Sequence, residues 1–194
     1  MTEVIRKFTK TVPNWKPRVT PVDLSEATDA QLEALKVTPS NTKVSDYVLV
    51  LAHDVETLKV RSPLFNEIMY GKGGLGRADR EIGAVGASIV NHCIYCAAVH
   101  ATRHAQIAKS DELMDRIFTA GSAAELPPRE QAIFDFSIKL SQTPSQATHQ
   151  DVESLRKAGL TDAEIADLTL STALFGWANR LMHVLGDPVR GESV

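Results

Sequence analysis

The chain has 194 residues, a formal net charge of −3 and a pI near 6.1. This length allows one compact domain or two small, closely packed halves, and a hydrophobic share of 43% is enough for a core without covalent staples. Because the weak negative charge creates no basic field, the composition argues against nucleic acid and against an anionic membrane as main partners.

The first 23 residues contain three prolines and little periodicity. They predict an extended arm over residues 1–23 that lies on the body of the protein or on a neighbouring subunit. The arm lacks the apolar run of a signal peptide, and the chain has no apolar stretch of 18 residues, so we expect a cytoplasmic protein with no membrane partner. Structural disulfides are rare in the cytosol, where a close cysteine pair more often binds metal or performs redox chemistry.

Residues 24–194 are predicted to form a single all-α domain of about eight helices, because no window shows the alternation of a strand. Thr28 can cap the first short helix, with Gln31 completing a capping box. A longer helix is predicted for residues 45–60, and Pro63 is expected to begin the next one. Glycines between residues 71 and 76 predict a linker. Further helical segments follow at 77–90, through the cysteines to 109, and at 110–121, 127–142, 148–159 and 161–186.

Both cysteines of the chain lie in the segment "NHCIYCAAVH", residues 91–100. On a helix, Cys93, Cys96 and His100 form a stripe about 60° wide. Cys96 and His100 are four residues apart, so the imidazole can take the thiol proton or hold the thiolate, which makes Cys96 a better nucleophile. Cys93 is then placed to attack an oxidised Cys96 and close a disulfide.

Whether Glu81 can reach the cysteines and His100 depends on where the helix that carries the cysteines begins. In one straight helix, Glu81 would lie about 22 Å from Cys96. If the chain instead reverses at residues 91–92, the cysteines occupy the first turn of a new helix, whose dipole favours a thiolate. The antiparallel return also brings Glu81 level with residues near 100, where it could orient His100. A reversal therefore predicts a Glu–His–Cys relay.

Other interpretations of these residues stay open. Two cysteines can simply be buried in a core, and a first-turn glutamate is favoured by the helix dipole whatever its function. A zinc site is a further alternative, with the candidate ligands Cys93, Cys96, His100 and His104. These ligands would all come from one local segment, whereas structural zinc sites usually draw their ligand pairs from separate elements.

Three neighbouring residues have weaker functional interpretations. Tyr95, between the cysteines, is expected to pack or to place its phenol near the sulfurs, since a buried tyrosine hydroxyl usually finds a partner. His92 is expected to be a turn residue, and His104 a surface residue of the helix. Tyr95 and His92 are candidates for residues that lie around the thiols and support them without reacting.

The spacing of Glu81, Cys93, Cys96 and His100 resembles the E-x11-C-x2-C-x3-H signature of the alkylhydroperoxidase D / carboxymuconolactone decarboxylase family. The chain looks most like the peroxidase-related branch, chiefly over residues 60–120, and the later segment "ANRLMHVLGD" is also similar. The resemblance implies an AhpD-like all-α fold, with the CxxC at the start of a central helix, and assembly into trimers or hexamers. It also implies reduction of a small hydroperoxide by cysteine chemistry, with no cofactor and no metal.

The resemblance also implies residue roles. By position, Cys96 attacks the peroxide and Cys93 resolves the product, while His100 and Glu81 relay protons. The best-studied members carry a histidine just before the second cysteine, where this chain has Tyr95. Decarboxylase members generally lack the cysteine pair, so decarboxylation is not expected.

The resemblance implies a thiol electron donor, a dithiol protein or a lipoyl-type group, as the partner that restores the dithiol. Two other functions fit the same residues. One is a general disulfide reductase, and the other is a non-catalytic, oligomeric redox sensor or binding module.

A second segment repeats part of this spacing, with Glu164, Gly176, Asn179 and His183 at the intervals of the first. One interpretation is a degenerate internal duplication of residues 77–108 and 160–186. The second copy has then lost both sulfurs and is structural. The other interpretation is two unrelated apolar helices.

Overall fold

The structure is a computed structural model that describes residues 3–37 and 44–190. Within these ranges it is predominantly helical, with two short strands, which confirms the all-α class. Nine α-helices occur there, against the expected number of about eight: α1 Asp29–Leu35, α2 Asp46–Leu51, α3 Val55–Tyr70, α4 Arg77–Val90, α5 Ile94–Ala108, α6 Glu112–Ala120, α7 Pro128–Ser141, α8 His149–Lys157 and α9 Asp162–Leu185. A short 3-10 helix, Gly121–Ala123, follows α6. No helix of the described ranges is long and apolar enough to cross a lipid bilayer.

The start of α1 is the capping box that the sequence predicts. The Thr28 hydroxyl accepts a hydrogen bond from the Gln31 backbone N–H at 3.3 Å, and the Gln31 side chain accepts one from the Thr28 N–H at 2.9 Å. Two backbone donors that have no partner inside the helix are thereby satisfied.

The expectation that Pro63 begins a helix is wrong. Helix α3 begins at Val55, where the Asp54 carboxylate caps the Thr57 N–H at 3.1 Å, and it continues through Pro63 to Tyr70. The predicted helix 45–60 is therefore divided between α2 and α3. An interior proline removes one helical hydrogen bond, and burial of Leu58 and Phe65 on either side stabilises the helix across it.

Two strands of four residues, which the sequence analysis did not predict, join the two ends of the described chain. β1, Asn14–Pro17, pairs antiparallel with β2, Gly186–Val189. A Cβ at Gly186 would lie 2.4 Å from the Trp15 ring, so only glycine allows this close approach. Strands this short contain too few residues for alternation to be visible in the sequence.

Helix α4 lies at the centre of the molecule, packed against α5, α7 and α9, and residues 80–89 are all buried. Glycines allow the close packing: a Cβ would lie 2.8 Å from the Thr172 hydroxyl at Gly83, and 2.8 Å from Ser137 at Gly86. The sequence of this helix is apolar nearly all round after its first turn, which is typical of a helix in the core or at a subunit interface, and the structure places it in the core. Its central position brings Asn179 of α9 close to the end of α4 and to the segment that follows.

Candidate active site

The chain reverses between α4 and α5, as the sequence predicts. Helix α4 ends at Val90, α5 begins at Ile94, and His92 takes the left-handed backbone conformation with φ of 53°. Cys93 is the N-cap residue of α5, and its own N–H donates to the Ser88 carbonyl at 2.9 Å. Both cysteines therefore lie in the first turn of a helix, where free backbone N–H groups favour negative charge.

This reversal joins Glu81 of α4 to His100 of α5. The Nδ1–H of His100 donates to Glu81 Oε2 at 2.5 Å, and Arg77 Nε donates to Glu81 Oε1 at 2.6 Å. Glu81 is completely buried, and the Phe175 ring packs edge-on against the imidazole with 4.1 Å between centroids. The predicted meeting of Glu81 and His100 is confirmed.

The charges around Glu81 keep it ionised. Burial raises the pKa of the Glu81 carboxyl, but the charges and hydrogen bonds of His100 and Arg77 outweigh burial and hold the pKa below its ordinary value. A carboxylate that accepts from Nδ1 fixes the orientation of the ring. The other ring nitrogen, Nε2, is then the one that can exchange protons.

The two thiols are buried, free and close to one another. The pKa of Cys93 is lowered chiefly because the Cys96 thiol donates to it, with help from the Cys96 backbone N–H against the cost of burial. The same hydrogen bond, together with burial, raises the pKa of Cys96 well above its ordinary value. Cys93, at the N-cap, is therefore the more acidic thiol of the pair, with its pKa lowered while that of Cys96 is raised.

The hydrogen-bond partners of Cys96 and His100 differ from those that the helical stripe suggests. We predicted contact between the Cys96 thiol and the His100 imidazole, but in the described part of the chain no hydrogen bond joins them. His100 is turned to Glu81, and Cys96 to Cys93. Cys96 and His100 instead share one wall of a cavity.

Asn179 of α9 is a site residue that the sequence analysis treated only as structural. Its side chain is completely buried, donates to the Ser88 hydroxyl at 3.3 Å and accepts from the Asn91 amide at 3.2 Å. Its amide also lowers the pKa of both thiols by hydrogen bonding. No local pattern marks this role, since Asn179 is more than 80 residues from either cysteine and reaches the thiols only because α9 packs on α4.

The two cysteines border different cavities. Cys96 lines a cavity of about 490 Å³ together with His100, and Cys93 lines a smaller one of about 210 Å³ beside β2. Tyr95 lies between them and borders both. A small organic molecule in the larger cavity would therefore meet Cys96 first.

The three neighbouring residues behave differently from one another. Burial raises the pKa of Tyr95, whose hydroxyl makes no hydrogen bond to any other described residue. His92 is exposed and stacks on Phe8 at 5.9 Å, which confirms it as a turn residue. The expectation that His104 lies on the surface is wrong, because it is only 5% exposed and follows His100 by one turn on the buried face of α5. Burial lowers the pKa of His104.

The zinc alternative requires several ligands to converge. Over residues 3–37 and 44–190, no group of three or more His, Cys, Asp or Glu side chains could hold a metal ion. One of the candidate ligands, His100, is already hydrogen-bonded to Glu81 through its Nδ1 atom.

Residues 56–139 match the model of the carboxymuconolactone decarboxylase family. A crystal structure described as an alkylhydroperoxidase AhpD core, an uncharacterized peroxidase-related protein from Ralstonia eutropha JMP134, is 27% identical with a TM-score of 0.74, over 87% of this chain and 90% of that one. An uncharacterized peroxidase-related protein from Silicibacter sp. TM1040 is 26% identical with a TM-score of 0.72, over 88% and 91%. No curated protein matches the sequence.

The fold also occurs in a protein of different described activity. The debrominase Bmp8 is 14% identical with a TM-score of 0.74, over 90% of this chain and 92% of that one, a likeness of fold alone. The predicted resemblance to the carboxymuconolactone decarboxylase family is supported by the match over residues 56–139, and the AhpD-like fold is confirmed; two similar structures above 25% identity are described as peroxidase-related proteins.

Proposed function

We propose that this protein is a thiol-dependent oxidoreductase that reduces small hydroperoxides. Its residues 56–139 match the carboxymuconolactone decarboxylase family, and its fold is AhpD-like. One observation carries the proposal. Two free thiols lie together at a helix N-terminus, and one of them, Cys96, lines a cavity with a histidine that a carboxylate orients. This is the arrangement of an activated cysteine nucleophile with a proton donor for its leaving group.

The first step oxidises Cys96. Its sulfur attacks the terminal oxygen of the hydroperoxide in the larger cavity, while its proton passes to the Cys93 thiolate. The O–O bond breaks, and the departing alkoxide takes a proton from Nε2 of His100 and leaves as the alcohol. Cys96 becomes a sulfenic acid, and Glu81 holds the imidazole in place throughout.

The second step closes the disulfide and the third reopens it. The Cys93 sulfur attacks the Cys96 sulfenic acid, and one water molecule leaves. A thiol donor then reduces the disulfide by exchange, with a mixed disulfide as the intermediate. We expect a dithiol protein or a lipoyl-type group, because two neighbouring thiols return both electrons without a third partner.

Mass spectrometry tests this cycle directly. After one equivalent of hydroperoxide, we expect the wild-type protein to lose two hydrogens in a link between Cys93 and Cys96. Cys96→Ser should abolish turnover, and Cys93→Ser should stop at a Cys96 sulfenic acid that a dimedone-type reagent captures. A sulfenic acid on Cys93 in the Cys96→Ser variant, formed at the wild-type rate, would reverse the two roles. Absence of the disulfide in the wild type would refute the cycle.

A general disulfide reductase is the second candidate, favoured by the position of Cys93. This thiol has the lowered pKa and borders the separate, smaller cavity, so it could meet a protein disulfide without using the larger one. Rates with a protein disulfide and with an organic hydroperoxide, measured on the same preparation, separate the two functions. Stoichiometric oxidation without turnover under any thiol reductant would instead indicate a redox sensor.

We propose in addition that the chain forms a homo-oligomer, a trimer or a hexamer. Leu170, Trp177 and Val184 lie at seven-residue intervals on one side of α9, and their exposed fractions are 51%, 41% and 70%. An apolar stripe of this kind is typical of a helix face that packs against another subunit. Light scattering gives the mass in solution, and Trp177→Glu should lower it; a monomeric wild-type protein would refute the assembly.

A further inference from the structure

Arg61 of α3 is a buried charge that the proposed cycle does not use. Its side chain is only 6% exposed, and its Nε and Nη1 atoms are fully buried without a hydrogen-bond partner. No ion pair of the described chain includes it. A guanidinium removed from water without an anion is costly, so a buried, unpaired arginine indicates a missing negative partner.

The surroundings of Arg61 stabilise its position but do not neutralise it. The guanidinium carbon lies 4.6 Å from the centre of the Phe65 ring and 5.8 Å from that of Tyr47, in cation–π geometry. The Tyr47 hydroxyl is also buried without a partner, and burial raises the pKa of Tyr47 to about 12, so it remains a donor. Two unsatisfied donor groups therefore lie side by side.

Both groups line the larger cavity, on whose wall Cys96 also lies. Arginines are the only charged residues among the described residues that line it, and Arg77 is already paired with Glu81. The remaining wall is mainly apolar and aromatic, including Val99, Phe175 and Met182. The cavity thus offers donors and positive charge for one end of a molecule and an apolar lining for its body.

We propose that Arg61 and Tyr47 form a subsite for the carboxylate of the substrate, so that the preferred hydroperoxide is an organic acid with an apolar or aromatic body. The guanidinium can hold two carboxylate oxygens, and the Tyr47 hydroxyl can donate to one of them. The peroxide group then extends to Cys96. This inference rests on the proposed function, since it names the class of substrate for the same cavity.

Binding of an unreactive probe tests the subsite without any turnover. We expect 4-isopropylbenzoate to bind the wild-type protein at least about 10-fold more tightly than its methyl ester in calorimetry, because only the acid offers a charged acceptor. Arg61→Met should remove that preference, and Tyr47→Phe should reduce it. Arg103→Met is the matched control, since Arg103 lines the same cavity but is exposed, and it should keep the preference.

Equal binding of acid and ester by the wild-type protein would overturn the subsite, as would an undiminished preference in Arg61→Met. If Arg61→Met does not fold, as judged by circular dichroism, the Tyr47→Phe result decides. An undiminished preference in Tyr47→Phe then overturns the subsite, and a reduced one supports it.

A kinetic experiment separates this inference from the proposed function. Wild-type kcat/KM is compared for cumene hydroperoxide and for its 4-carboxy derivative, and we expect about a 10-fold preference for the acid that Arg61→Met loses. Turnover of both at equal rates would overturn the subsite and leave the peroxidase function standing. If binding of the benzoate depends on Arg61 but neither hydroperoxide is turned over, the subsite stands and the peroxidase function is overturned.

Discussion

The α4–α5 hairpin and helix α9 carry a glutamate and a histidine at the same interval, but only the hairpin brings the pair together. Glu81 and His100 meet at 2.5 Å because the chain reverses between them. Glu164 and His183 lie in one unbroken helix, about 28 Å apart along its axis. Glu164 instead caps the helix start with Thr161, and the His183 Nε2–H donates to the Asn91 carbonyl at 2.8 Å. Equal spacing produces a site only where a turn intervenes.

The two regions nevertheless meet at the sulfurs. The position in α9 that corresponds to Cys96 is occupied by Asn179, whose amide lowers the pKa of both thiols. Helix α9 thus provides polar support for the redox pair of the hairpin, and no second sulfur site. Whether the two segments descend from a duplication stays a prediction, because an unbroken helix and a helical hairpin have different shapes.

The largest expected difference between the two regions is in the effect of replacing their glutamates. Glu81→Gln should lower the rate of hydroperoxide reduction by about 100-fold, since an uncharged amide no longer holds the imidazole as a proton donor. Glu164→Gln is the matched control and should leave the rate unchanged, because this side chain is partly exposed, lies far from the thiols and caps the start of α9. Stopped-flow oxidation of the two variants measures the difference. Similar losses in both would show that the Glu81–His100 pair has no role in the chemistry.

A smaller effect is expected from removing the support that α9 provides. Asn179→Ala should raise the pKa of the thiol pair, because the amide stabilises the thiolate. A higher thiol pKa leaves less thiolate at neutral pH, so the rate should fall there and recover as the pH rises. Thiolate absorbance at 240 nm across a pH titration follows the shift. Ser171→Ala, a buried residue of the same helix that bonds only to Leu168, should leave the titration unchanged.

The smallest effect concerns the turn that distinguishes the hairpin from α9. His92 has a positive φ, which a β-branched side chain adopts only with strain. His92→Val should therefore be less stable than His92→Asn by about 1 kcal/mol in free energy of unfolding. Both variants lose the stacking on Phe8, so their difference isolates the backbone. Urea denaturation measures it, and equal stabilities would mean that the backbone relaxes at this position.

Several features of the site follow from short-range patterns. The reversal at residues 91–92 and the meeting of Glu81 with His100 were predicted from helical geometry, and the capping box at Thr28 from its residue types. Each depends on residues that are close in sequence or symmetric about one turn.

The errors and omissions share a different cause. The preference of proline for the first helical position predicts a start at Pro63, whereas the cap at Asp54 starts the helix earlier. The burial of His104 depends on neighbours from other helices, which the local pattern does not show. The β1–β2 pairing, the approach of Asn179 to the thiols and the unpaired charge of Arg61 all depend on residues far apart in the chain. Pattern analysis has no access to such contacts.

By itself, the sequence determined the helical class, the spacing of the cysteine pair and the turn that brings Glu81 to His100, because these arise from backbone geometry over about 20 residues. Only the tertiary structure decided which thiol is the more acidic, since that depends on the hydrogen bond between the thiols, on burial and on the Asn179 amide together. It also decided that Arg61 is a buried cation without a partner. The physical reason is that charge in a protein interior is governed by every group around it, whatever its distance along the chain.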